Sequence, residues 1–363
     1  MPPNDSIASY RTPRLRVLLN GQPLLGAHEA KINTNNNYGA NTFGVTIALG
    51  LDEWADAEFW SRETYIDVEV QLSLDEGSSF TSVIEGMADT IALDPIERVV
   101  QLHGRDFTAA LIEAPTQETF ANRTASEIAT ILAGRHGLSP IVTSTTTPVG
   151  RFYESDHESV TLNSFTRSTT EWDLLVYLAQ HENYDVFVAG SSLYFRPVAD
   201  SSIIASVIRP VDVSQLRLER ALALSGEVQV AVKSWNTQLQ AAFVGQVSGT
   251  ISDVLSNASG NGPFPSQYVL VRPNLTQDKA LALATQRLSE ITRYERTIEF
   301  SMPGELDFTP GSVISLSGTQ TDFDQQYYIN SITRTFRIRT GFMQRVRASN
   351  SSPRTVTTIE SAS

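Results

Sequence analysis

Alternation of apolar and polar side chains runs through the first hundred or so residues. In Tyr65-Ile66-Asp67-Val68-Glu69-Val70-Gln71-Leu72 the side chains of Ile66, Val68, Val70 and Leu72 fall on one side and those of Asp67, Glu69 and Gln71 on the other. This period of two marks a half-buried strand. RLRVLLNG, HEAKINTN, NTFGVTIAL, SVIEGMADTIAL and RVVQLHGRDF carry the same signal between Asn, Gly, Asp and Pro turns, so six closely spaced strands point to a barrel or a sandwich. The segment from Asp52 to Trp60 interrupts them as a helical turn or loop.

After Asp106 the period changes. Thr124 to Ala133 reads as a short helix, with Thr124 as its cap, Glu127 at the capping-box position and Ile128, Ile131 and Leu132 on one face. A second helix runs from Thr170 to His181, and Tyr184 to Ala189 with Ser192 to Pro197 form a hairpin turning at Gly190-Ser191. Strands return from about Ser206, and Val228, Val230 and Val232 alternate with Gln229 and Ala231. A Gly/Ser/Asn/Pro stretch from Ser252 to Ser266 reads as a long loop, Gln277 to Arg293 as a helix, and three further strands follow. The expected fold class is α+β, mainly β. Its division is a β-rich block over 1–105, an α+β middle over 106–205, a second β-rich block over 206–348 with an inserted loop and helix at about 245–294, and a mobile tail over 349–363.

The length of 363 residues fits this division into two or three domains. The chain has no cysteine, which excludes disulfides, thiolate metal sites, iron–sulfur clusters and thiol nucleophiles. Its five histidines, His28, His103, His136, His157 and His181, form no close ligand pair. Forty acidic against 27 basic side chains give a net charge of -13, which argues against a protein built to grip phosphate backbones. The N-terminal residues lack the apolar core of a signal peptide, and no stretch is long and apolar enough to span a membrane. Synthesis in a cytoplasm is expected.

Candidate chemistry reduces to decoys with plainer readings. Asp52, Glu53, Asp56 and Glu58 offer a carboxylate pair of the glycosidase kind, but read as a solvated loop beside the anchors Trp54 and Trp60. His103, Arg105 and Asp106 combine base, cation and acid, yet sit where a strand leaves the first block, where an Arg–Asp pair fixes a junction. Asp156, His157 and Glu158 are consecutive and point apart. Trp172 lies at helical spacing with Leu175, Leu178 and Ala179 and reads as core. Arg334, Arg337, Arg339, Arg345 and Arg347 make the C-terminal end basic, which suits a protein–protein salt-bridge face better than a nucleic-acid site. No nucleophile elbow, phosphate loop or dinucleotide fingerprint occurs. No catalytic, cofactor or metal residue is therefore assigned, and the expectation is a scaffold rather than an enzyme.

Three ordered segments carry a family resemblance. LHGRDFTAALIEAP, FANRTASEIATILAGRHGL and SFTRSTTEWDLLVYLAQHENYDVFVAGSSLYFRP, followed by ERTIEFSMPGELDFTPGSVISLSG and YYINSITRTF, resemble the phage late control protein D family of baseplate hub proteins over roughly residues 10 to 348. The hub portions of type VI secretion spikes and of gene transfer agent tails are similar. The resemblance implies two tail-tube-like antiparallel β-barrel domains joined by a small α+β domain. It also implies a homotrimer whose six barrels seat a tail tube or distal tail protein on one face and a spike or tip protein on the other, with DNA in transit through the lumen. Such a protein is located in the virion of a phage or phage-like particle. No domain-sized segment follows Ser349, so a hydrolase or piercing tip is expected to be a separate chain. Two other readings stay open: a tail-associated cell-wall hydrolase using the Asp52–Trp60 segment, and a receptor- or glycan-binding tail accessory.

Overall fold

The computed structural model describes residues 11–36, 38–50, 57–116, 120, 122–146, 148–149, 151–152, 159–160, 170–182, 184–197, 204–222, 227–237, 239–251, 266–350 and 355–359. The first block holds β1 (Arg14–Leu19), β2 (Gln22–Leu24), β3 (Ala27–Asn35), β4 (Thr42–Ala48), α1 (Ala57–Arg62), β5 (Asp67–Ser73), β6 (Thr81–Asp94) and β7 (Val99–Asp106). Alternation decides the faces as expected: Val68, Val70 and Leu72 of β5 are fully buried while Asp67, Glu69 and Gln71 face outward. The six strands β3-β4-β7-β6-β5-β1 are neighbours in that order, and they wrap one core of Val17, Ile32, Val45, Val70, Leu102 and their neighbours.

The middle region follows with α2 (Thr108–Glu113), α3 (Ala125–Arg135), β8 (Ser139–Val142), β9 (Arg151–Phe152), β10 (Ser159–Val160), α4 (Glu171–Glu182), β11 (Tyr184–Ala189) and β12 (Ser192–Pro197). The capping box forms: the Thr124 hydroxyl accepts from Glu127 N at 3.3 Å, and Thr124 N donates to the Glu127 carboxylate at 3.0 Å. The inward face of α3 is Ile128, Ala129 and Leu132, whereas Ile131 is 37% exposed, one position off the expected stripe. β11 and β12 form the expected hairpin, turning through Gly190 at φ 54°, and β8 adds to β12 in parallel. Trp172, Leu175, Leu178 and Ala179 are buried core residues beside Phe195 and Leu132.

The second block is built from β13 (Ile204–Ile208) and β14 (Gln215–Arg220), and, after an excursion, from β18 (Arg296–Pro303), β19 (Val313–Leu316), β20 (Gln326–Arg337) and β21 (Gly341–Asn350). These six strands, in the order β14-β18-β21-β20-β19-β13, surround a second core of Phe300, Ile314, Tyr327, Ile332 and Val346. The excursion contains β15 (Glu227–Asn236), β16 (Ala241–Ile251), β17 (Ser266–Val271) and α5 (Gln277–Thr292). It begins earlier than the expected insertion. β15 belongs to a separate four-stranded sheet, β17-β15-β16-β22, because Val228, Val230 and Val232 pack against Ala280, Ala284 and Leu288 of α5 rather than the second core. Alternation specifies which face is buried, not which partner buries it. At Gly245 the helix approaches so closely that a Cβ would lie 2.4 Å from the Ala280 carbonyl carbon. The expected mobile tail is also partly structured: Thr355–Ile359 form β22, which pairs with β16, in keeping with the strand preference of its β-branched residues.

The two β-rich blocks are not separate sheets. β20 is divided along its length. Gln326 to Tyr328 pair with β19, while Ser331 to Arg337 pair with Asn35 to Glu29 of β3. One 13-stranded sheet therefore runs from β14 to β2 across both cores. Among the described residues its strand path does not close, and the protein is mainly β with antiparallel sheets. A fifth cluster, Leu72, Phe336 and Phe342 with Leu15 and Leu306, fills the junction between the blocks.

Candidate assembly face and the joints behind it

The face of the large sheet turned away from the cores is continuous over β14, β18, β21, β20, β3, β4 and β7. Register sets its rows. One runs Gln215, Ser301, Arg345, Thr333, Asn33, Thr42, Arg105, and the next Arg217, Glu299, Arg347, Ser331, Asn35. At the seam between the blocks the Thr333 hydroxyl donates to Asn33 Oδ1 at 2.9 Å, and Asn33 Nδ2 donates to the Thr42 hydroxyl at 3.1 Å. Charges on this face come largely as pairs: Arg217 with Glu219, Arg337 with Glu29 at 2.7 Å, Arg345 with Glu299 at 3.7 Å, and Arg105 with Asp89 at 2.7 Å and Glu113. These pairs neutralise part of the face, while Arg347 and Lys31, exposed on it, carry positive charge with no ion pair among the described residues.

The basic C-terminal cluster is split by alternation. Arg345 and Arg347 lie on the outer face, Arg337 and Arg339 are exposed, and Arg334 faces inward, only 5% exposed. The expected salt-bridge face thus loses Arg334. The Arg105–Asp106 pair is corrected in the same way, because consecutive strand residues point to opposite faces. Arg105 reaches Asp89 and Glu113, while Asp106 is buried and accepts from Asn41 Nδ2 at 2.7 Å, Asn41 N at 3.1 Å and Thr108 N at 3.2 Å. Burial pushes the Asp106 carboxyl above its ordinary value against those hydrogen bonds. His103 lies on the outer face beside Gly44. Asp52, Glu53, Trp54 and Asp56, and Asp156, His157 and Glu158, lie outside the described residues. Glu58 is exposed and paired with Arg62, and Trp60 is 3% exposed within the first core, so it forms no aromatic platform. The described residues contain no group of three metal-ligating side chains, and no described helix is long and apolar enough to cross a membrane.

Three joints that the sequence did not announce hold the regions together. The β3–β4 turn carries Tyr38 at φ 55°, whose carbonyl accepts from the Trp172 indole at 2.7 Å. Burial pushes the Tyr38 hydroxyl up to about 12, so it stays protonated. Glu171 at the start of α4 is 2% exposed and binds Arg135 and, at 2.6 Å, His136 Nε2, tying α4 to the end of α3. At the neck of the excursion Ala221 N donates to Glu295 O at 2.7 Å and Arg220 pairs with Glu295 at 2.6 Å. Each joins residues far apart in sequence, and local pattern carries no signal for that. The Asn-rich run before Tyr38 marks a turn but not what the turn touches.

No family model matches the sequence, and no curated protein matches it. Solved structures do. A tail protein from Neisseria meningitidis MC58 aligns with a TM-score of 0.67 and 12% identity, covering 93% of this chain and 97% of that one. The 43 kDa tail protein of prophage MuSo2 from Shewanella oneidensis aligns with a TM-score of 0.67 and 13% identity, over 93% and 98%. The E. coli c3393 protein is described as a component of the type VI secretion system with structural similarity to T4 bacteriophage tail proteins gp27 and gp5. It aligns with a TM-score of 0.54 and 9% identity, over 93% and 77%. The chain has the fold of phage tail proteins, in agreement with the resemblance read from its sequence.

Proposed function

We propose that this chain is a structural hub of a phage-type tail, located in the virion and acting without catalysis. It would assemble as a trimer that joins the tail tube to a central spike or tip protein. In this reading 1–105 and 206–348 are the two tube-like units, 106–205 is the connecting α+β unit, and the α5 region is an insertion in the second tube-like unit. The observation that carries it is the paired architecture: two sets of six strands, each around its own core, fused edge to edge through β20 and β3. Three such chains supply six similar units, which fits a six-fold tube while keeping three-fold symmetry for a spike. Ring formation would also occupy sheet ends that the single chain leaves open.

The polar outer face, with its paired arginines, suits a wall along which DNA moves without adhering. The net charge of -13 alone would not locate that property; the pairing on the sheet supports this face as the wall. Light scattering coupled to size-exclusion chromatography at micromolar concentration tests the assembly. A trimer, seen as a ring by negative-stain microscopy, is the expected result. A strict monomer that is also missing from the tail axis of assembled particles would remove the proposal.

A further inference from the structure

Across the inner face of the second block, β18, β21, β20 and β3 place Met302, Gln344, Arg334 and Ile32 in one row. The flanking rows are mainly apolar: Phe342, Phe336 and Ala30 on one side, and Phe300, Val346, Ile332 and Thr34 on the other, with the Thr34 hydroxyl donating to Ile332 O at 3.4 Å. Gln344 is 2% exposed, and neither its Oε1 nor its Nε2 has a hydrogen-bond partner. Arg334 is 5% exposed and donates to two backbone carbonyls, Phe308 O and, at 3.5 Å, Glu305 O. Those bonds pin the loop after β18, but they bring no negative charge. Arg334 has no carboxylate partner among the described residues, and the nearby Glu305 side chain is spent on Arg11 at 2.6 Å. Desolvation alone pulls the Arg334 guanidinium down to about 10.

A guanidinium has five N–H donors and a primary amide has two, so this layer holds more donors than acceptors, plus one uncompensated charge. Buried charges are ordinarily paired, and a buried polar group without a partner marks a bound water or ion. A water would serve both Gln344 atoms, donating to Oε1 and accepting from Nε2, but would leave the guanidinium charge uncompensated. We propose that the Arg334–Gln344 layer binds a small monovalent anion of halide size, accepting from the guanidinium and from the Gln344 amide. Loop pinning is then one of two roles for Arg334, the other being to hold this ion.

Thermal unfolding of the full chain in sodium chloride against sodium gluconate at equal ionic strength reads the site directly, because gluconate is too large for a closed layer between strands. The midpoint is expected to rise saturably with chloride by on the order of 2–4 °C. Arg334→Met abolishes the difference and Gln344→Leu removes or reduces it, while the exposed Arg345→Met leaves it intact. If Arg334→Met does not fold, Gln344→Leu decides. Equal midpoints of the unsubstituted protein in the two salts, or an undiminished chloride effect in Gln344→Leu, would overturn the assignment.

Discussion

Asp185 is the second residue of β11, where burial opposes two cations. Desolvation raises its carboxyl above the ordinary value, and Arg196 and Arg293 pull it back without cancelling the shift. A carboxyl raised in the folded state favours protonation there. Its ionised form costs stability at pH above the raised value, and the cost disappears as pH falls toward the unfolded value. Asp185→Asn should therefore raise the thermal midpoint at pH 7, with the gain shrinking steadily as the pH is lowered toward 4. A lower midpoint at pH 7 would mean that the attraction of the two arginines outweighs burial. The residue type is legible in the sequence; the competition is not, since Arg196 reaches Asp185 through a hairpin and Arg293 from the end of another unit.

At the scale of elements, the alternation of β5, the capping box of α3 and the hairpin of β11 and β12 were readable because each depends on neighbours within a few residues. Partner choice was not. β15 alternates as cleanly as β5, yet joins the sheet under α5, and β22 lies in what composition marks as a tail. The candidate face was half legible: alternation separates Arg345 and Arg347 from Arg334 once the strand register is known, and Arg217 and Glu219 share β14, but the counter-charges of Arg337 and Arg345, Glu29 and Glu299, come from other strands. The α5 unit offers a sharp test of its own packing. Gly245→Ala forces a methyl into the backbone of α5, so a loss of about 1–3 kcal/mol is expected for that unit. It should be read as earlier proteolytic cleavage within 221–295 than elsewhere. Cleavage at the unsubstituted rate would show that α5 is not held against β16 as described.

For the molecule as a whole, charge pairing on the outer sheet face predicts behaviour toward nucleic acid. The protein should not retard duplex DNA in a mobility-shift assay at physiological salt. Combined Glu29→Gln, Glu219→Gln and Glu299→Gln should free three arginines and produce binding that weakens steeply with salt. Strong, salt-sensitive binding by the unsubstituted protein would contradict a face whose charges come largely as pairs. The divided strand β20 has a mechanical consequence as well. Its bonds to β3 lie perpendicular to both strands, so a pull along the strand axis loads the whole ladder in shear, whereas a pull across it opens the pairs one by one. The seam between the two blocks therefore resists sliding along the strands more strongly than peeling across them.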